Sequence, residues 1–145
     1  MTLNNKAKLM TAMMTNTSPY LDFFDIALDA YESKKLDIYR KIMTTLIASY
    51  KTLLHDVEIE NNALESVDYL VINEEDLDSF YDNMYELVDL VKLLKKHLKP
   101  LKNKDGLFGD LYQTLQKLHE AVILHIDIVS TQEIKELQSR YAKAS

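Results

Sequence analysis

The chain has no cysteine, two glycines (Gly106, Gly109) and two prolines (Pro19, Pro100) among 145 residues. Without cysteine there is no disulfide, no thiolate nucleophile and no cysteine-ligated zinc. That composition suits a reducing compartment, and a cytoplasmic location is expected. So few glycines and prolines leave little material for the tight turns on which sheet proteins depend, which points to long uninterrupted elements. Long apolar runs are also missing. The nearest, Ala121–Val129, is nine residues interrupted by His125 and Asp127, against the ~18 that a membrane span requires. Leu9–Met14 is too short and too rich in threonine for the apolar core of a signal peptide. A soluble chain with no membrane partner is expected.

Motifs for chemistry are scarce as well. No Glu-x-x-His occurs, so the di-iron pattern of helical bundles is absent. His55, His97, His119 and His125 include no pair four residues apart, which removes the helical zinc-protease arrangement. There is no glycine-rich phosphate loop and no Gly-x-Ser-x-Gly elbow. No metal, no cofactor and no catalytic residue is expected, and the chain reads as a non-enzyme. His125, in the most apolar stretch, reads as a core histidine bonded to a neighbouring polar group, with Asp127 on the outer face.

What the chain does have is helical periodicity. Hydrophobic residues make up 47% and charged residues 28%, an ordinary globular mixture. Residues 1–17 read as an arm or a short helix, with Leu3, Ala7, Met10 and Met14 at helical spacing. Ser18 and Pro19 suit the N-cap and first position of a helix, followed by Leu21, Phe24, Leu28 and Tyr31 on one face. Ser33-Lys34-Lys35 reads as a tight helix–helix turn. The stripe Leu36, Tyr39, Met43, Leu46, Tyr50, Leu53 and Val57 then alternates steps of three and four without an error. Asn61-Asn62 reads as a break, and residues 66–72 as either a short helix or an extended run.

A further helix is predicted from near Asn73, with the stripe Leu77, Phe80, Met84, Leu87, Val91, Leu94, Leu98 and Leu101, widened by Tyr81 and Val88, and ended by Pro100 and residues 103–106. The last is predicted to start near Phe108 or Asp110 and run toward Tyr141, with a break at Ser130-Thr131. The fold class is therefore all-α, an antiparallel helical bundle of about four to five helices, with residues 18–145 as one domain. A homodimer is compatible with stripes of this regularity.

Two short patterns resemble known families. Lys92-x4-His97 resembles the Arg-x4-His of the HEPN ribonucleases, with lysine in place of the family's arginine; that resemblance implies ribonuclease activity through His97. His97-Leu98-Lys99 resembles the His-x-Leu-Lys-Gly of histidine phosphotransfer bundles, one residue short and with Pro100 where the pattern has glycine.

Charge is the most uneven property. The forty residues between Lys51 and Lys92 contain no lysine or arginine and twelve acids, while Lys92–Lys104 contains six lysines and no acid. Acids at a helix start and lysines at its end complement the helix dipole, which accounts for Glu74–Asp76 and Lys95–Lys99 but not for the middle. Glu75, Asp78, Asp82, Glu86 and Asp89 recur every three or four residues, where like charges repel by a few tenths of a kcal/mol per pair. This stripe, with Tyr85 as an aromatic anchor, is the expected contact for a protein partner with a basic surface. Lys92, Lys96 and Lys99 form a basic patch beside it. Direct DNA binding is disfavoured, because it needs a basic face to displace counterions. The expected function is a small acidic interaction module, in the manner of inhibitors, antitoxin or immunity proteins, and adaptors or chaperones. The alternatives are a DNA-mimic inhibitor of a nucleic-acid-binding protein, of phage or mobile-element type, and the HEPN-like ribonuclease.

Overall fold

The computed structural model describes residues 18–65 and 74–144. The readings of residues 1–17 and 66–72 lie outside the described residues. Four helices make up the fold among those described: α1 (Ser18–Glu32), α2 (Leu36–Glu65), α3 (Glu74–Leu98) and α4 (Gly106–Ala144). It is the all-α bundle expected, and no strand occurs among the described residues.

The apolar stripes face inward as their spacing requires. Tyr39, Met43, Leu46, Tyr50, Leu53 and Val57 of α2 are buried, as are Leu77, Phe80, Met84, Leu87, Val91, Leu94 and Leu98 of α3. Leu36 departs from the pattern, because it stands at the first turn of α2 where no helix covers it, and it is 41% exposed. Fully burying one such side chain stabilises by about 1.5–3 kcal/mol, so each stripe outweighs the weak helix propensities of its tyrosines and valines.

Consecutive helices alternate in direction, and the pairing of side chains shows how they stack. Tyr39 lies beside Phe108, and Asn61 and Leu64 of the same helix meet His125 and Gln132. α2 and α4 thus run parallel, and they share the most extensive interface. α3 packs antiparallel on α4, with Lys95 near His119 and Tyr81 near Ser130. α1 packs on α2.

Three boundaries differ from the sequence reading. Helix α2 continues through Asn61-Asn62 to Glu65, because Asn61 is buried and satisfied by α4 rather than by its own turn. Helix α4 is unbroken at Ser130-Thr131; the Thr131 hydroxyl donates to the Asp127 carbonyl at 2.9 Å, a back-bond within the helix. The same helix begins at Gly106, slightly earlier than Phe108 or Asp110, since Asp105 caps it. The Asp105 carboxylate accepts the Leu107 N–H at 3.0 Å. Its neighbour Gly109 leaves room for the Lys102 carbonyl, 2.9 Å from where a Cβ would stand.

The turn at Ser33–Lys35 is the tight one expected. The Lys35 N–H reaches the Ala30 carbonyl at 2.8 Å and the Lys34 N–H the Tyr31 carbonyl at 3.2 Å, a Schellman closure of α1. This turn meets the α3–α4 loop at the same end of the bundle. Tyr31, Tyr39 and Phe108 pack there with ring centroids 5.1 Å apart, and the Tyr39 hydroxyl donates to Asp105 Oδ2 at 2.7 Å.

Candidate partner-binding face

The outer face of α3 is set by the same periodicity that fixes its inner one. Residues 75, 78, 82, 85, 89, 92, 96 and 99 are separated by alternating steps of three and four, so they share one side of the helix. Asp78, Asp82, Glu86 and Asp89 are all exposed, with no ion pair to any of them among the described residues. Glu75 lies in the first turn of α3, and its side chain is outside those described. From Asp78 to Asp89 the helix advances about 16 Å, so the four carboxylates fall roughly 5 Å apart along the axis. Lys92, Lys96 and Lys99 continue the same side and are also exposed. The acidic stretch and the basic patch are therefore two ends of one continuous ridge.

Tyr85 stands on this ridge with 53% of its surface exposed. Its support is Tyr81, which periodicity alone places at the edge of the apolar face. The Tyr81 ring stacks on Tyr85 at 6.5 Å and 27°. The Tyr81 hydroxyl donates to Glu133 Oε2 at 3.0 Å and lies 3.0 Å from Ser130 Oγ, both on α4. Burial, and then the Glu133 carboxylate, push the Tyr81 phenol above its ordinary range, against the opposing effect of Ser130. Tyr81 thus stays protonated and holds the base of Tyr85, which leaves the outer ring a preorganised aromatic surface among carboxylates.

Lys95 belongs to a different arrangement. It turns from the ridge toward α4, where its amine lies 3.4 Å from His119 Nδ1 and 5.9 Å from the centre of the Tyr112 ring. Lys102 covers the same ring at 4.8 Å. Burial, with Lys95 and Lys92 nearby, lowers the His119 pKa. No short motif signals this cluster, because its members come from two helices and a loop.

Lys92 and His97 are both exposed, but five residues apart they point about 140° away from each other around α3. His125 is the core histidine expected: it is 1% exposed, and its Nδ1 lies 2.7 Å from Asn61 Oδ1. Asp127 is exposed on the outer face, as expected. Among the described residues no group of three or more histidines and carboxylates is arranged to hold a metal ion. No helix of the described residues is long and apolar enough to cross a membrane. No known protein family matches the chain, and neither a curated protein nor a solved structure is significantly similar to it.

Proposed function

We propose that the protein acts by binding a protein partner with a basic surface, through the α3 ridge formed by Glu75, Asp78, Asp82, Tyr85, Glu86 and Asp89. One observation carries this reading: Asp78, Asp82, Glu86 and Asp89 are exposed together on one helix with no ion-pair partner among the described residues. A helix that needed only solubility would interleave lysines and gain from pairs four residues apart. A basic partner relieves the repulsion on docking, and the acidic field speeds encounter. Tyr85, stacked on Tyr81 and more than half exposed, supplies contact area with little rotamer freedom to lose.

The test is charge reversal with the fold intact. Asp78→Lys, Asp82→Lys and Glu86→Lys together should leave the helical circular dichroism unchanged. They should also abolish capture of the partner that the parent chain retains from its host lysate. Partner capture that survives the triple reversal sinks the proposal. A DNA mimic would present its acids in the same way, and a captured partner that normally binds nucleic acid, and is displaced by DNA, would select that reading.

A further inference from the structure

The opposite charge gathers at one end of the bundle, where the α1–α2 turn and the α3–α4 loop meet. Lys34 and Lys35 come from the first; Lys96, Lys99 and Lys104 come from the end of α3 and the loop after it, and all five are exposed. None of the five amines has an ion-pair partner among the described residues. Their convergence is not accidental packing of loose loops. The Tyr31, Tyr39 and Phe108 rings lock the two connections together, and Tyr39 and Asp105 tie them by a hydrogen bond.

Two further observations concern what this end is for. Lys34 sits at φ 62°, in the left-handed conformation that closes α1. That position favours glycine, since a side chain there is strained, yet the chain holds an exposed cation instead. Beside it Leu36 and Ile38 are 41% and 48% exposed, aliphatic side chains standing in water next to Lys34 and Lys35.

We infer that this end of the bundle docks on an anionic lipid surface, with Lys34, Lys35, Lys96, Lys99 and Lys104 meeting the headgroups and Leu36 and Ile38 entering the interface. Exposed aliphatic residues next to Lys34 and Lys35, at the end of the bundle that also carries Lys96, Lys99 and Lys104, suit a headgroup–acyl boundary. A single-stranded nucleic acid would instead need exposed aromatic faces for stacking. At this end the rings of Tyr31, Tyr39 and Phe108 are packed on one another, and Tyr112 is covered by Lys102.

The acidic ridge does not prevent such docking. Asp89, the nearest acid of the ridge, lies seven residues from Lys96, about 10 Å along the helix, beyond a Debye length of about 8 Å at physiological salt. The carboxylates within about a turn of the two connections are Asp29, Glu32, Asp37, Asp105 and Asp110, and Asp105 is engaged by Tyr39. The sequence reading expects no membrane partner because no apolar run is long enough to span a bilayer; docking by one end departs from that expectation and requires no such span.

The inference does not depend on the acidic part of the α3 ridge and is tested without a partner. The full chain is sedimented with vesicles of phosphatidylcholine alone, or with roughly 30 mol% phosphatidylserine. Binding is expected only to the anionic vesicles, and it should fade as salt rises from about 0.1 M to about 0.5 M. Each lysine replaced should lower the partition about fivefold, so Lys34→Gly with Lys104→Gln should lower it more than tenfold. Lys34→Gly relieves the backbone strain, so this loss cannot be blamed on unfolding if the melting temperature holds or rises. Leu36→Asn with Ile38→Asn should weaken binding as well, whereas reversing Asp78, Asp82 and Glu86 should not. Equal binding to neutral vesicles, unchanged binding of the lysine variants, or no binding to anionic vesicles at low salt overturns the inference. Retention of single-stranded RNA by a chain that ignores those vesicles overturns it too.

Discussion

Asn61 and Asn62 are adjacent in one helix and should respond oppositely to the same substitution. Asparagine is a poorer helix former than alanine by up to about 0.7 kcal/mol. Asn62 is exposed, with no tertiary bond among those described, so Asn62→Ala should stabilise the protein by about 0.5 kcal/mol. Asn61 is only 4% exposed; its amide donates to the Ala121 carbonyl at 3.0 Å, and its oxygen lies 2.7 Å from His125 Nδ1. An amide oxygen only accepts, so Nδ1 of His125 is the donor. Asn61→Ala strands that donor in the core, at a cost of about 1–3 kcal/mol, and leaves a small cavity. After the propensity gain, a net loss of about 1–2 kcal/mol remains. Urea unfolding followed at the helical band reads both variants. With a slope of about 2 kcal/mol per molar, the midpoint should fall by about 0.5–1 M for Asn61→Ala and rise slightly for Asn62→Ala. Placing Asn61→Ala in a His125→Phe background should shrink its cost, since no histidine donor is left unpaired. Two adjacent substitutions that both stabilise would show that the buried pair contributes nothing and refute the reasoning.

Two further predictions concern titration. Burial first, and then Asp105, push the Tyr39 phenol far above its ordinary range; its folded value therefore exceeds the unfolded value of about 10, and stability present below pH ~10 is lost as pH rises past it. Tyr39→Phe should cost about 1.5–3 kcal/mol at neutral pH by breaking the bond to Asp105. It should also flatten the alkaline loss in unfolding curves taken at increasing pH; an unchanged alkaline slope would count against the assignment. His119 is shifted the other way, by burial, Lys95 and Lys92, so its contribution is present above pH ~6.5 and is lost as pH falls below that value. An NMR titration should place the His119 pKa below the free imidazole value, and Lys95→Met should raise it; a value at or above that of free imidazole contradicts the observed packing.

The acidic ridge was legible residue by residue, because a helix turns any three-four spacing into a face whatever packs behind it. Glu75, Asp78, Asp82, Glu86 and Asp89 needed nothing else to be placed on one side. Their support did need more: Tyr81 reads as one more apolar position until Ser130 and Glu133 arrive from another helix to bond its hydroxyl. The same holds for Lys95, which local spacing assigns to the basic run and which tertiary contact turns toward His119.

Periodicity by itself determined that the chain is helical, where the inner stripes of α2 and α3 lie, and that α3 is acidic outside. These depend only on the 3.6-residue repeat and on keeping apolar surface from water. The tertiary structure decided whatever rests on partners distant in the chain. It carried α2 through Asn61 by satisfying that amide from α4, and it moved the start of α4 to the Asp105 cap. It also made α2 and α4 parallel neighbours and brought the turn that carries Lys34 and Lys35 to the same end of the bundle as the loop that carries Lys104. Local preference fixes the turns of a helix at tenths of a kcal/mol per residue; a buried polar pair outweighs it severalfold, and no sequence window spans the 64 residues between Asn61 and His125.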